Sequence, residues 1–164
     1  MIETISIRKA IHEDIPDIQQ VAKISWNQTY EGIIHADVQE DFLKNAYSEQ
    51  SLEYRLQNTI FLVAEVNEKV AGFASFSNID VENKSAVLAA IYLLPQFQKG
   101  GVGSKLLQHG ITQLNGIDRL LVEVEKDNKI GKAFYESKGF KVAKEYTAEF
   151  FGHSLPTILM ALPL

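Results

Sequence analysis

Three glycines fall within four residues in the stretch Pro95-Gln-Phe-Gln-Lys-Gly-Gly-Val-Gly-Ser-Lys-Leu-Leu107: Gly100, Gly101 and Gly103. Glycine takes torsions that side chains forbid, and it lets a ligand come close to the backbone. Apolar residues at helical spacing follow, with Val102, Leu106, Leu107, Ile111 and Leu114 on one face. A helix start offers unpaired N–H groups and the positive end of a dipole. Loop and helix start together suit a phosphate or pyrophosphate. Lys99 and Lys105 add positive charge, with no acidic residue between them.

Two familiar phosphate loops can be tested against this stretch. A P-loop requires Gly-Lys-Ser/Thr, but Lys105 follows Ser104. A dinucleotide loop requires a third glycine where Leu106 stands, so only the first half of that fingerprint, Gly101-Val-Gly103, is present. A tight turn into a helix remains the plain structural alternative.

The elements around the loop read as a mixed α/β domain. Ile5–Arg8 alternates as a strand, and Glu13, Asp14 and Pro16 open a helix with Ile15, Ile18, Ala22 and Trp26 on one face. A looser stretch, Asn27–His35, precedes short helices at Asp37–Asn45 and Glu49–Gln57. Strands Ile60–Val66 and Val70–Ser77 join at Asn67-Glu68-Lys69, a hairpin signal. Ala86–Leu94 is apolar without alternation, as in a strand covered on both faces, and stops at Pro95. The glycine-loop helix is expected over Gly100–Asn115, then a strand at Leu120–Glu125. Asp127–Lys138 reads as a helix with Ile130, Ala133, Phe134 and Ser137 inward and Gly139 past its end. Strands Gly139–Ala148 and Leu155–Leu162 close the chain. The central β-α-β unit should be a parallel, right-handed crossover.

Three segments now combine. Gln98-Lys-Gly-Gly101-Val-Gly103 resembles the Q/R-x-x-G-x-G/A loop of the GNAT family of N-acetyltransferases, and Ile91-Tyr-Leu-Leu-Pro95 resembles the end of that family's fourth strand. Asn128 stands seven residues before Tyr135 in Ala133-Phe-Tyr-Glu-Ser-Lys-Gly139-Phe140, similar to the family's second signature. The segments occur in the family's order, most densely over residues 86–141.

The resemblance implies a single domain over residues 1–164, with a sheet of about seven strands, four to five helices, and fourth and fifth strands that splay apart. It implies transfer of an acetyl group from acetyl-CoA to an amine. Backbone groups of Ile91, Tyr92 and Leu93 would line the pantetheine, pairing with it like a missing strand. Gln98, Lys99, Gly100, Gly101, Val102, Gly103 and Ser104 would hold the pyrophosphate. Asn128 would bind the pantetheine arm, or else cap the following helix, a role Asp127 could also take. Tyr135 corresponds to the family's general acid, which protonates the departing thiolate; its plain alternative is a core aromatic. Lys129, Lys132 and Lys138 read first as a solvated basic face.

The acceptor side is less defined. Deprotonating an alkylammonium of pKa about 10.4 at pH 7 costs about 4.6 kcal/mol. Many relatives carry a glutamate on the fourth strand, where this chain has Val87-Leu-Ala-Ala90. Glu31, His35 and Glu123 are the candidate bases. Trp26-x-x-x-Tyr30-Glu31-Gly32-Ile33 resembles the substrate loop of a branch that includes polyamine acetyltransferases, which makes Trp26, Tyr30 and Glu31 candidate substrate contacts.

Composition bounds these readings. The 164 residues are 46% hydrophobic and 23% charged, ordinary for a globular domain. Zero cysteines exclude disulfides, thiolate metal sites and a cysteinyl relay, so the amine would attack the thioester directly. The net charge of −5 argues against a general nucleic-acid binder. Residues 1–86 carry 14 acidic and 7 basic side chains, whereas residues 87–164 carry 7 and 9. An acidic half suits a cationic amine and a mildly basic half an anionic co-substrate. No run is apolar enough to span a membrane and Met1–Ile5 shows no leader, so a cytoplasmic enzyme is expected. The apolar strand Leu155–Leu162 is a candidate homodimer seam. N-terminal peptide acetylation and a non-catalytic CoA-binding module are the competing functions.

Overall fold

The computed structural model describes residues 4–164; Met1–Glu3, part of the leader reading, lie outside them. Seven strands form one mixed sheet: β1 (Ile5–Lys9), β2 (Ile60–Val66), β3 (Lys69–Phe76), β4 (Ser85–Leu93), β5 (Arg119–Glu125), β6 (Lys141–Phe150) and β7 (His153–Pro163). Their spatial order is β1-β2-β3-β4-β5-β7-β6. Helices α1 (Ile15–Tyr30), α2 (Ala36–Ala46) and α3 (Glu49–Asn58) precede β2; α4 (Val102–Thr112) links β4 to β5, and α5 (Lys129–Ser137) follows β5.

The local signals act where they were read. Asn67 and Glu68 both take positive φ, 52° and 69°, and close a two-residue turn between Val66 and Lys69. Such turns match the twist of the flanking strands. Gly101 caps α4 at φ +84°. At Gly110 a methyl group would overlap the Phe76 ring, so α4 lies close on β3.

The β4–β5 pair positions the site. Among the described residues it is the one parallel pair, formed over Ser85↔Arg119, Ala86↔Leu120 and Val87↔Leu121. Beyond these rungs β4 stays bonded to β3 as far as Leu93, and β5 to β7 as far as Glu125. Each strand is thus held on its outer side while the inner sides part, as expected from the resemblance.

The two faces of the sheet carry separate cores. On one, Leu120, Val122 and Val124 pack with Val102, Leu106 and Leu107 of α4. On the other, α1 and α3 bury Ile15, Ile18, Val21, Leu52 and Leu56 against Phe61, Val63 and Phe73.

Two expectations change. Helix α1 continues to Tyr30 instead of loosening after Trp26, because Trp26 and Tyr30, one turn apart, are both buried. Helix α5 does not turn Ile130, Ala133 and Ser137 inward; Ile130 is 83% exposed, and Ala133 and Ser137 are exposed too. Its inner arc centres between Phe134 and Tyr135, which leaves Ile130 roughly 90° away. Strand β7 lies between β5 and β6 with both edges paired.

Candidate active site

The parted strands leave a row of backbone groups open on β4. The Leu94 N–H bonds the Ala71 carbonyl of the neighbouring chain segment at 2.8 Å. Bonding alternates along an antiparallel pair, so Tyr92 turns its amide to β3 while Ile91 and Leu93 turn theirs to the gap. The Leu93 carbonyl already accepts the Ser25 hydroxyl at 3.0 Å. The groups left for a strand-like ligand are therefore the Ile91 amide and carbonyl and the Leu93 N–H.

The glycine loop continues from this row. Pro95–Phe97 forms a 3-10 turn, and Gln98 leaves it extended, exposed and 3.5 Å from the Leu93 carbonyl. Lys99 has φ +67° and Gly101 φ +84°. Alternation of left-handed with ordinary torsions curls successive N–H groups into an anion-binding concavity. Lys99, Gly100 and Gly101 are exposed, Ser104 is half-buried, and Val102 anchors the first turn in the core. The glycines differ in purpose: Gly101 has open space around it, whereas Gly103 makes room for Phe134, whose ring a methyl would approach to 3.2 Å.

Asn128 caps α5, its Oδ1 accepting the Gly131 N–H at 2.9 Å, so Asp127 does not take that position. Tyr135 packs edge-on to Phe140 with ring centroids 5.5 Å apart, and burial pushes its phenol well up, so it keeps its proton. Lys138 sits 5.5 Å over the Phe134 ring, while Lys129 is exposed.

Across the gap an aromatic group forms the α1 side. Trp26 stacks on Phe42 at 4.2 Å, meets Tyr30 at 4.5 Å, and donates its indole N–H to the Tyr92 hydroxyl at 2.9 Å. Burial raises the Tyr92 phenol well above its ordinary value. Burial also raises Tyr30; a hydrogen bond with Asn128 opposes the shift and the charge of Glu125 adds to it. Trp26 and Tyr30 are both buried, so they stand as a wall and not as exposed substrate contacts. Outside this wall, a cavity of about 310 Å³ is lined by Ile33, Ile34, His35, Val38, Phe150, His153, Ser154 and Leu155. His35 caps α2, accepting the Asp37 N–H at 3.2 Å.

The candidate carboxylates separate by exposure. Glu31, at the end of α1, and Glu123, on β5, are exposed. Sequence reasoning missed Glu125, which is 7% exposed. Burial raises its carboxyl above the usual value, with backbone donors at Asp127 and Asn128 pulling the other way and the Asp127 charge adding to the rise. Its Oε2 accepts the Asp127 N–H at 2.7 Å, while Oε1 is buried without a hydrogen-bond partner. The available signal was the Glu123-x-Glu125 spacing, which puts both carboxylates on one face of a strand. Among the described residues no cluster of three or more metal-ligating side chains occurs, and no helix is long and apolar enough to cross a membrane.

Comparison with known proteins agrees with this geometry. Residues 18–140 match the model of the acetyltransferase (GNAT) family. A spermidine N(1)-acetyltransferase of Thermoplasma acidophilum is 30% identical over 155 residues, covering 90% of this chain and 94% of that protein. A ribosomal protein bS18-alanine N-acetyltransferase of Salmonella typhimurium is 38% identical over 96 residues, covering 56% of this chain and 64% of that protein. The crystal structure of PaiA N-acetyltransferase from Thermoplasma acidophilum in complex with coenzyme A superposes with a TM-score of 0.84 at 27% identity, covering 98% of this chain and 99% of that one. Glycine loop, parted strands and whole-chain likeness converge: the protein belongs to the GNAT family and is an acetyl-CoA-dependent N-acetyltransferase.

Proposed function

We propose that this enzyme acetylates a small cationic amine, a polyamine in the first instance, by direct transfer within the cytoplasm. The observation that carries the reading is an acidic rim on an aromatic wall. Glu31, Asp37, Glu40 and Asp41 are exposed around the α1–α2 connection, and Trp26, Tyr30, Phe42 and Phe150 stack behind it. Carboxylates draw in a multiply charged amine, and the half-buried faces of Phe42 and Phe150, backed by Trp26 and Tyr30, accept both its methylenes and its charge. The similarity to a spermidine N(1)-acetyltransferase supports the same substrate class.

Acetyl-CoA supplies the acetyl group as an activated thioester. The open Ile91 and Leu93 backbone groups hold its pantetheine amides, and the Gln98–Ser104 loop its pyrophosphate. Asn128 borders the arm and fixes the start of α5 beside it through its cap. The proton on Tyr135, retained at neutral pH because the phenol is buried, goes to the departing sulfur. The amine attacks from the α1 side, because α4 and its core fill the other.

The test is CoA release from acetyl-CoA with spermidine, a neutral amine of similar size, and a peptide with N-terminal alanine. Spermidine should be the fastest; equal rates on charged and neutral amines would reject the acidic-rim reading. N-terminal acetylation is the second reading. It is favoured by the similarity to a bS18-alanine N-acetyltransferase and by a cavity whose lining includes no carboxylate. It predicts the alanine peptide as the fastest acceptor.

A further inference from the structure

We propose that Glu125, at the end of β5, receives the incoming ammonium group at Oε1 and takes its proton; this rests on the amine-acetyltransferase reading above. Four observations lead there. Glu125 is the last residue of β5 and lies beyond the final paired rung at Leu121, so it stands on the stretch of β5 that borders the open gap. Its side chain shares a strand face with Glu123, opposite Val122 and Val124, which are buried in the α4 core. That is the α1 face, where the aromatic wall stands. One carboxylate oxygen is fixed by the Asp127 N–H, and the other is buried without a partner.

A buried acceptor left without a donor is costly, and native structures seldom keep one without a use. An ammonium group supplies both the missing donor and the missing charge. The titratable groups facing Glu125 favour a cation: Tyr30 from α1 is an uncharged phenol, Asp127 adds negative charge from the adjoining loop, and Glu123 lies two residues back on the same face. On β7 the residue opposite it is Thr157, which carries no charge. The cation at Lys126 is engaged with Glu145 at 3.6 Å. Burial also makes Glu125 a stronger base than an exposed carboxylate, which suits it to accept a proton.

The proton count closes. The ammonium gives one proton to Oε1, and the freed nitrogen lone pair forms the bond to the acetyl carbon. The carbon–sulfur bond breaks with its electron pair on sulfur, which takes the Tyr135 proton. The second proton leaving nitrogen restores Tyr135 through solvent, and Glu125 releases its own to solvent after the amide departs.

Glu125→Gln keeps the shape and removes the charge. With spermidine, kcat/KM should fall about 100-fold while acetyl-CoA affinity stays within about twofold. A weakly basic amine, already neutral at the working pH, should lose far less, and Glu125→Asp should recover part of the spermidine rate. Loss by the same factor for both amines, or no loss, would overturn the proposal; so would Glu123→Gln alone reproducing the spermidine-selective loss. A second arm needs no turnover. Spermidine should bind CoA-loaded wild type at least tenfold more tightly than CoA-loaded Glu125→Gln, and equal or absent binding would overturn the proposal. Absence of CoA release with every amine would instead reject the transferase reading, with the binding arm still deciding Glu125.

Discussion

On the α4 side of the parted strands, Val122 and Val124 meet Val102, Leu106 and Leu107, and the polar features are backbone: the Ile91 and Leu93 groups and the loop ending at Gly101. On the α1 side, Trp26, Tyr30 and Tyr92 stand with Glu123 and Glu125, and the polar features are side chains. The difference follows from what each side handles. A shared co-substrate can be held by main-chain amides and glycine torsions, which demand little of neighbouring side chains. An acceptor amine must be recognised by charge and relieved of a proton, which needs placed carboxylates and aromatic walls.

The largest test of this division is Tyr135→Phe, at the junction of the two sides. It should lower kcat about 100-fold or more with unchanged acetyl-CoA affinity, measured by CoA release and calorimetry. An unchanged kcat would reduce Tyr135 to a packing residue beside Phe140. Gly110→Ala tests whether the α4 side is as tightly built as the Phe76 contact indicates. It should cost about 2–3 kcal/mol in denaturant melts, and a neutral result would mean that α4 can slide on β3. Gly101→Val puts a branched side chain at φ +84° in open space, so the strain is about 1–2 kcal/mol. Acetyl-CoA should bind at least tenfold more weakly while spermidine specificity holds; unchanged affinity would remove the loop from the phosphate site.

The smallest effect concerns stability against pH. The folded-state pKa of Glu125 is raised, chiefly by burial, so folding favours its protonated form. Its contribution is fully present below the unfolded value and is lost as pH rises through the folded one. Glu125→Gln should therefore raise Tm at pH 8 and leave it nearly unchanged at pH 4. A lower Tm at both values would mean that the charged carboxylate supports the fold. A higher Tm combined with lost activity would mark a residue kept for chemistry against stability.

Much of this was legible because it is local. Asn67-Glu68 announces its own turn, Gly101 its own positive φ, and Asn128 its own helix cap. The end of α1 was not legible: Asn27, Gln28 and Thr29 read as a loop, and they are helical because Trp26 and Tyr30 find partners far along the chain, Tyr92 and Phe150 among them. Ile130 misled in the opposite direction, since its apolar character matched a helical stripe that no neighbour covers.

The sequence by itself determined the family, the glycine loop, the Asn128–Tyr135 spacing and the order of elements. Each depends on backbone torsions and residue periods that act within about ten positions. Only the tertiary structure decided which carboxylate is buried. Glu123 and Glu125 are the same residue two steps apart on one strand face, and nothing local distinguishes them. The distinction arises where β5 leaves β4 and Tyr30 of α1 reaches the strand's end, because burial is set by what the rest of the chain brings to a position.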